Sequence, residues 1–535
     1  MMRRGFGWCL LLLVGLACSP RVGPRVRDGS DAFFAGPIVR LELRVKPEDA
    51  EKINREERPW VPCTLIEYDA TGAKLIEYPQ VAIKLKGAAG SFRGFEDRPA
   101  LTLRPDKYIK GQLFHALTKF HLNNSVQDET FLHEQLCSEI FLEANVPAAR
   151  VTHARVKIND RDLGLYVLKE GFDRRFLARH FARPNGNLYD GGFCTDIDQD
   201  LERDTGEGPE DRQDLQALRE ACHEPDAARR TELVAKRVDV DALLTFVALE
   251  LMTCHWDGYA CNANNYRLYF DPADGRARFF PHGMDQMFGD PGFSIVAIPN
   301  ALVARTLLED PAQRERFKQR VNELLPRFSP ADKLVARVDA LAAKIKPFLA
   351  TEGDPDAVAR FEGAVQNLKE RLVARAQYLD EQKSFPAPKP VEFDDEGRLH
   401  LTDWRPASEV EDAALDVIEL EPDRHAFKIA CGPGGHCIAS WRTNVLLSRG
   451  AYTFVARARC RDLQAITDDK GLGAGLRISG AVRENQIEGT RDWQEYRFDF
   501  TIDEDSRPIE FVAELRATGG EVEFAAESLR VERRE

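Results

Sequence analysis

Apolar and charged residues alternate from Ile38 to Val45 and again from Val81 to Lys86, the period-two pattern of strands with one buried face. This strand-like character extends to about Lys169, with one predicted helix inside it. Asp128 is a suitable N-cap for that helix, Glu129 favours its first turn, and Leu132, Leu136 and Ile140 recur every fourth residue. Two further strands, Ala154 to Ile158 and Leu163 to Leu168, are expected to meet across the turn-forming Asn159-Asp160-Arg161-Asp162. After Gly171 the pattern changes. Residues 196–214, rich in Asp, Glu and Gly, read as an exposed loop. Helical period then dominates to Gln382, most clearly over Asp239 to Thr253, Arg314 to Leu325, Leu334 to Ile345 and Asp356 to Gln382. One hairpin is embedded there: Tyr266 to Phe270, the turn Asp271-Pro-Ala-Asp-Gly275, and Arg276 to Pro281. Strands with one helix, then helices with one hairpin, predict a two-lobed α+β domain over residues 37–382. Residues 383–392 form a proline-rich linker. Residues 393–535 carry short alternating strands, including Tyr452 to Arg457, Gln494 to Thr501, Ile509 to Leu515 and Glu521 to Ala525, and predict an all-β sandwich.

The N-terminus changes the picture of where such a protein works. Arg3 and Arg4 precede the apolar run Trp8 to Ala17, the layout of an export signal over residues 1–17, and the run is too short to span a bilayer. Gly15-Leu16-Ala17-Cys18 resembles a bacterial lipobox, with Cys18 as the lipidated first mature residue and residues 19–36 as a polar tether; ordinary secretion is the alternative. The expected location is therefore the cell envelope or the medium, with membrane contact only through an N-terminal lipid. The net charge of −14 over 535 residues argues against nucleic acid as a partner. Eleven cysteines contain no Cys-x-x-Cys pair, which argues against structural zinc.

The densest polar cluster runs from His255 through Asp257, Asn262, Asn264 and Asn265 to Tyr266, directly after a strongly apolar helix. The hairpin it enters ends at Pro281-His282-Gly283-Met284-Asp285. A helix end and a strand end thus each deliver an aspartate, with amide side chains between. Phosphoryl transfer needs such parts: a carboxylate near the acceptor hydroxyl, and oxygen ligands that hold Mg²⁺ against nucleotide phosphates. Asp257 and Asn262 have the five-residue spacing of a kinase catalytic loop, and Asp285 follows a hairpin as the second kinase aspartate does. Asp-Gly and Asn-Asn are also ordinary turn residues, so spacing alone leaves a structural loop open.

Several blocks in order make the pattern specific. Asp257-Gly-Tyr-x-x-Asn-x-x-Asn265-Tyr-x-Leu-Tyr269 and Phe280-Pro-x-Gly-Met-Asp285 are preceded by Leu122-Asn123-Asn124, by Asp128-x-x-Phe131-Leu132-x-Glu134, by Asn159-x-x-x-x-Gly164-Leu-Tyr166 with Glu170, and by Gly186-Asn-Leu-Tyr189. Over residues 38–382 the chain resembles the CotH (spore coat protein H) kinase family. The resemblance implies a protein-kinase-like fold and transfer of the ATP γ-phosphate to serine of secreted or surface partner proteins, with ATP and Mg²⁺ as cofactors. It implies that Asp257 orients or deprotonates the acceptor hydroxyl, and that Asp285 binds Mg²⁺ with Asn262 or Asn265. Gly87, Gly90 and Ser91 match the family's glycine-rich segment and would cover the phosphates. Glu134 would pair with a phosphate-binding cation, and Tyr166 to Glu170 would take the place of a nucleotide-binding hinge. One departure stands out: where the family usually carries lysine, this chain has Arg98, which leaves Lys84 or Lys86 as alternative cations and a pseudokinase or binding lipoprotein as the alternative function. A Mg²⁺-dependent phosphoesterase is a third reading, disfavoured by the glycine-rich segment. The C-terminal region resembles carbohydrate-binding or galactose-binding-like jelly rolls through Trp441, Tyr452 and Trp493, which would either stack on a glycan or fill the core.

Overall fold

Period-two alternation in the first 170 residues closes seven strands on themselves. These are β1 (Val39–Arg44), β2 (Val61–Tyr68), β3 (Lys74–Lys86), β4 (Ala100–Arg104), β5 (Phe120–Asn123), β6 (Val151–Ile158) and β7 (Arg161–Glu170). They form a barrel in the order β1-β2-β3-β4-β5-β7-β6, closed by parallel pairing of β1 with β6 from Val39↔Ala154 to Leu43↔Ile158. The computed structural model describes residues 28–534 except 70, 89, 209–210, 351–355, 386–389, 409–412, 423, 436, 467–472 and 484. The export signal, Cys18, residues 19–27 of the tether and the middle of the linker lie outside the described residues. The rest of the expected tether is not merely polar chain, because Ser30–Ala35 is a helix that buries Phe33 and Phe34 in the barrel core. The chain divides into two compact units, Met1–Pro386 and Ala387–Glu535.

Side-chain alternation decides what each barrel strand shows to either side. Val81, Ile83 and Leu85 of β3, Leu101 and Leu103 of β4, Phe120 and Leu122 of β5, and Tyr166 and Leu168 of β7 fill the barrel. Their neighbours Lys86, Ala100, Asn123, Val167 and Lys169 therefore share the outer face of β3, β4, β5 and β7. The helix His133–Glu143 lies between barrel strands in sequence. Its residues Leu136, Cys137, Ile140 and Phe141 nevertheless join the core of the helical region. It starts five residues later than Asp128, because Phe131 takes a left-handed φ of +58° and breaks the first turn. Asp128 still serves that helix from outside, its Oδ2 accepting from the backbone N–H of His133 at 3.1 Å.

The second core is formed chiefly by the helices Val240–Met252, Leu302–Leu308, Pro311–Leu324, Asp332–Leu349 and Ala357–Gln382. A four-stranded sheet packs with it in the order β11-β10-β8-β9, where β8 is Leu188–Asp190, β9 Glu202–Thr205, β10 Tyr266–Asp271 and β11 Arg276–Pro281. β9 lies inside the stretch expected to be loop, and the β10–β11 hairpin has the expected bounds to within one residue. Arg375, 1% exposed, caps the helix Val240–Met252 by donating to the carbonyls of Leu251 and Met252 at 2.7 and 3.0 Å.

The C-terminal unit is all-β. Its stretches Cys437–Ala465 and Gly489–Ala525 pair along most of their length around a core of Trp441, Tyr452, Phe454, Leu476, Phe511 and Phe524. Trp441 donates to the carbonyl of Lys428 at 3.2 Å and packs on Phe427, with ring centroids 4.8 Å apart. Tyr452 is 1% exposed. Of the three aromatics offered as glycan platforms, Trp441 and Tyr452 are thus core residues. Trp493 is partly exposed and carries Arg459 over its ring.

Candidate active site

The outer face of the barrel strands and the loops that end the helix Val240–Met252 and the hairpin enclose a cleft of about 680 Å³. Gly87, Ser91, Glu134, Asp257, Asn262, Asn265 and Asp285 all line it, so sequence positions 200 residues apart meet in one place. Lys86, Asn123, Asn264 and His282 line it too.

Asp257 is held by three asparagine amides. Its Oδ1 accepts from Asn264 at 3.0 Å and from Asn262 at 3.3 Å, and its Oδ2 accepts from Asn265 at 2.8 Å. The loop that carries it is fixed from below by Glu250, which is wholly buried. Glu250 accepts from the backbone N–H of Tyr259 at 3.0 Å and of Ala260 at 2.8 Å, and its carboxylate lies 3.2 Å from Nδ1 of His255. Two glycines are required by close approach. A Cβ at Gly258 would lie 2.4 Å from the Glu250 carboxylate. One at Gly283, where φ is +56°, would lie 2.3 Å from Oδ1 of Asn265.

Asp285 occupies the opposite side of the electrostatic balance. Burial and the neighbouring Glu134 carboxylate push its pKa above the ordinary carboxylate range, and Lys86 opposes them. Glu134 is itself tied three ways: Lys169 donates to Oε2 at 2.7 Å, the backbone N–H of Met284 donates to Oε1 at 3.2 Å, and Asn123 reaches Oε1 at 3.5 Å. Lys169 and Glu134 are 0% and 2% exposed as side chains. Lys86 donates to Asn123 Oδ1 at 2.5 Å, and burial and Lys169 lower its pKa to about 8. His282 is kept neutral by burial and by the charges of Lys169, Arg267 and Lys86.

Three predicted cofactor residues are not among those lining the cleft. Arg98 donates to the backbone carbonyls of Asn124 at 3.1 Å and Leu165 at 2.5 Å, and it lines a separate cavity with Phe131 and Phe361. Its guanidinium therefore braces the barrel. Glu170 is clamped by Arg150, at 2.8 and 3.1 Å, and by Arg179. This buried cluster holds the end of β7 and leaves no carboxylate oxygen for a nucleotide. Gly90 shapes the segment indirectly: its φ is +79°, and a Cβ there would meet the amide of Gln127, a cleft residue, at 2.7 Å. Sequence reading does not reach Glu250 or Lys169, and it includes Asn264 in the polar cluster without a role. The signal for Glu250 was a charge in the middle of an apolar helix, between Leu249 and Leu251.

The cleft carries oxygen donors that could hold a metal ion. Among the described residues no group of three or more His, Cys, Asp and Glu side chains converges to hold a metal ion. The cleft offers the Asp285 carboxylate and the amide oxygens of Asn262 and Asn265, whose nitrogens are turned to Asp257; the Asn264 oxygen accepts from the backbone N–H of Cys194 at 3.4 Å. Mg²⁺ typically takes one or two carboxylates and completes its shell with phosphate and water.

A protein-family model described as CotH kinase protein matches residues 83–379. The inner spore coat protein H of Bacillus subtilis (strain 168) is 24% identical over 303 residues, which is 52% of this chain and 82% of that protein. The invasin CotH7 of Rhizopus delemar is 24% identical over 266 residues, 44% of this chain and 45% of the relative. Among solved structures, TmCBM61 in complex with beta-1,4-galactotriose aligns with 25% of this chain and 91% of its own at 15% identity and a TM-score of 0.17.

Proposed function

The chain belongs to the CotH kinase protein family, and from that premise we propose that its cleft binds ATP with Mg²⁺ and transfers the γ-phosphate to serine of an extracytoplasmic partner protein. The observation that carries the reading is the convergence of Asp257, Asp285, Gly87, Ser91 and Glu134 on one cleft. On this reading the barrel and the helical region take the parts of the two lobes of a protein kinase.

Bound Mg²⁺ would neutralise phosphate charge as it develops. The residues of the chain do the rest. Asp257, with about four lone-pair directions on its carboxylate, is held by amides from Asn262, Asn264 and Asn265 and keeps capacity to accept the proton of an acceptor hydroxyl. Asp285 would hold the metal, helped by the amide oxygens of Asn262 or Asn265. Gly87, at φ +104°, turns the backbone at the cleft edge and presents no side chain of its own to phosphates bound there. The substitution at Arg98 was the main reason to consider a binding-only protein. It lies outside the cleft, which weakens that alternative. The curated relatives include spore coat and invasin proteins, which supports an outer or surface location.

The test is incubation of the full chain with γ-labelled ATP and Mg²⁺, followed by phosphoamino-acid analysis of the chain and of an added serine-rich polypeptide. Label on serine that disappears with EDTA is expected. A protein that binds Mg²⁺·ATP but only releases inorganic phosphate would overturn the transfer reading.

A further inference from the structure

In protein kinases one lysine both contacts nucleotide phosphate and pairs with a helix glutamate. We propose that this chain divides those two tasks: Lys86 is the phosphate-binding cation, and Lys169 is the positioning partner of Glu134. The inference rests on the reading of the cleft as a nucleotide site.

The geometry separates the two lysines. Lys169 is wholly buried, its ammonium spent on Glu134 Oε2 at 2.7 Å, and it is not among the residues lining the cleft. Lys86 lines the cleft next to Gly87, on the strand end that leads into the glycine-rich segment. Its recorded partner is the neutral Asn123 Oδ1 at 2.5 Å. The remaining cations in this neighbourhood have carboxylates: Arg267 pairs with Asp190 at 2.6 Å and Asp204 at 3.3 Å, and Lys119 with Asp204 at 3.6 Å. An ammonium placed at a polar cleft beside a second, already neutralised lysine is the group with most to gain from an anion. Glu134 and Asp285 act on Lys86 only through space, and phosphate oxygens would add a directly bonded anion where the hydrogen-bond partner is the neutral Asn123.

The buried pair has a different use. Through Glu134 it links β7 to the helix His133–Glu143 and, by the Met284 N–H at 3.2 Å, to the backbone beside Asp285. Its effect on the reaction is therefore through the position of Asp285. Arg98 needs no role at the phosphates, because it lines a separate cavity and its Nε and Nη2 donate to the carbonyls of Asn124 and Leu165.

Inorganic tripolyphosphate with Mg²⁺ isolates the phosphate contribution, and adenosine isolates the rest. Binding of each to the full chain is measured by titration calorimetry for wild type, Lys86→Gln, Lys86→Arg and the double variant Lys169→Met with Glu134→Met, which removes the buried pair without stranding a charge. Loss of one charge-assisted contact is expected to weaken tripolyphosphate binding about tenfold or more in Lys86→Gln, with adenosine unchanged and most affinity restored in Lys86→Arg. The double variant should bind tripolyphosphate within about threefold of wild type yet transfer label more slowly. Unchanged tripolyphosphate binding in Lys86→Gln, or its loss in the double variant alone while thermal unfolding shows that variant folded, overturns this inference and leaves the nucleotide reading standing. A wild type that binds neither ATP nor tripolyphosphate overturns both.

Discussion

Replacing Glu250 by glutamine tests how the loop of Asp257 is held. The carboxylate is wholly buried and accepts from the backbone N–H groups of Tyr259 at 3.0 Å and Ala260 at 2.8 Å. Glutamine keeps one oxygen and turns an NH₂ group toward the other donor. One hydrogen bond to a charged acceptor is lost, about 1.5–3 kcal/mol, and the stranded N–H stays buried, so the local cost is about 2–4 kcal/mol. That is a large share of the 5–15 kcal/mol typical of a folded domain, yet short of unfolding it. The opening is local, so the sensitive measurement is amide hydrogen exchange at Tyr259 and Ala260, where 2–4 kcal/mol corresponds to a loss of protection of about 30- to 1,000-fold. Glu129→Gln, at an exposed position, is the control and should change little. Phosphotransfer should fall in Glu250→Gln while ATP affinity stays close to wild type. Protection at Tyr259 and Ala260 within threefold of wild type would refute the reasoning.

Other expectations follow from the same contacts. Gly283→Ala places a methyl 2.3 Å from Oδ1 of Asn265 at φ +56°; it should cost about 1 kcal/mol through the backbone, displace Asn265 from Asp257, and lower the transfer rate with nucleotide affinity retained. Lys86 falls from 10.5 to about 8 through burial and through Lys169, while Glu134 and Asp285 oppose the fall. ATP affinity should therefore weaken as pH rises through about 8, and Lys86→Arg should remove that dependence over pH 7–9. Since the folded value lies below the unfolded one, the charged ammonium costs stability below about pH 8, and calorimetric stability should rise from there toward pH 10.5. Trp441→Ala, at 5% exposure in the C-terminal core, should cost about 3–5 kcal/mol; a variant that melts like wild type in scanning calorimetry would contradict the core assignment.

What could be read along the chain was local. Alternation marks β1, the end of β3 and the β10–β11 hairpin, and the motif order singles out Asp257 and Asp285, which line one cleft. The failures are long-range. Glu170 sits at a strand end as a hinge residue would, but Arg150 and Arg179, twenty residues before and nine after, take both its oxygens. Arg98 stands at a family lysine position, and nothing local shows that two carbonyls claim its donors. Lys169 was hidden by its own alternation: it follows Leu168 and precedes Glu170, and only the closure of β5 onto β7 puts it over Glu134. Asp128 was a correct capping residue attached to the wrong first turn, because the left-handed Phe131 intervenes.

The central claim is that Asp257 and Asp285 form one phosphoryl-transfer centre with different tasks. Single-turnover transfer of γ-labelled phosphate, measured beside Mg²⁺·ATP affinity in wild type, Asp257→Asn and Asp285→Asn, tests it most directly. The account predicts loss of transfer in both variants, with ATP affinity kept in Asp257→Asn and its Mg²⁺ dependence lost in Asp285→Asn. Transfer at the wild-type rate in either variant would contradict it.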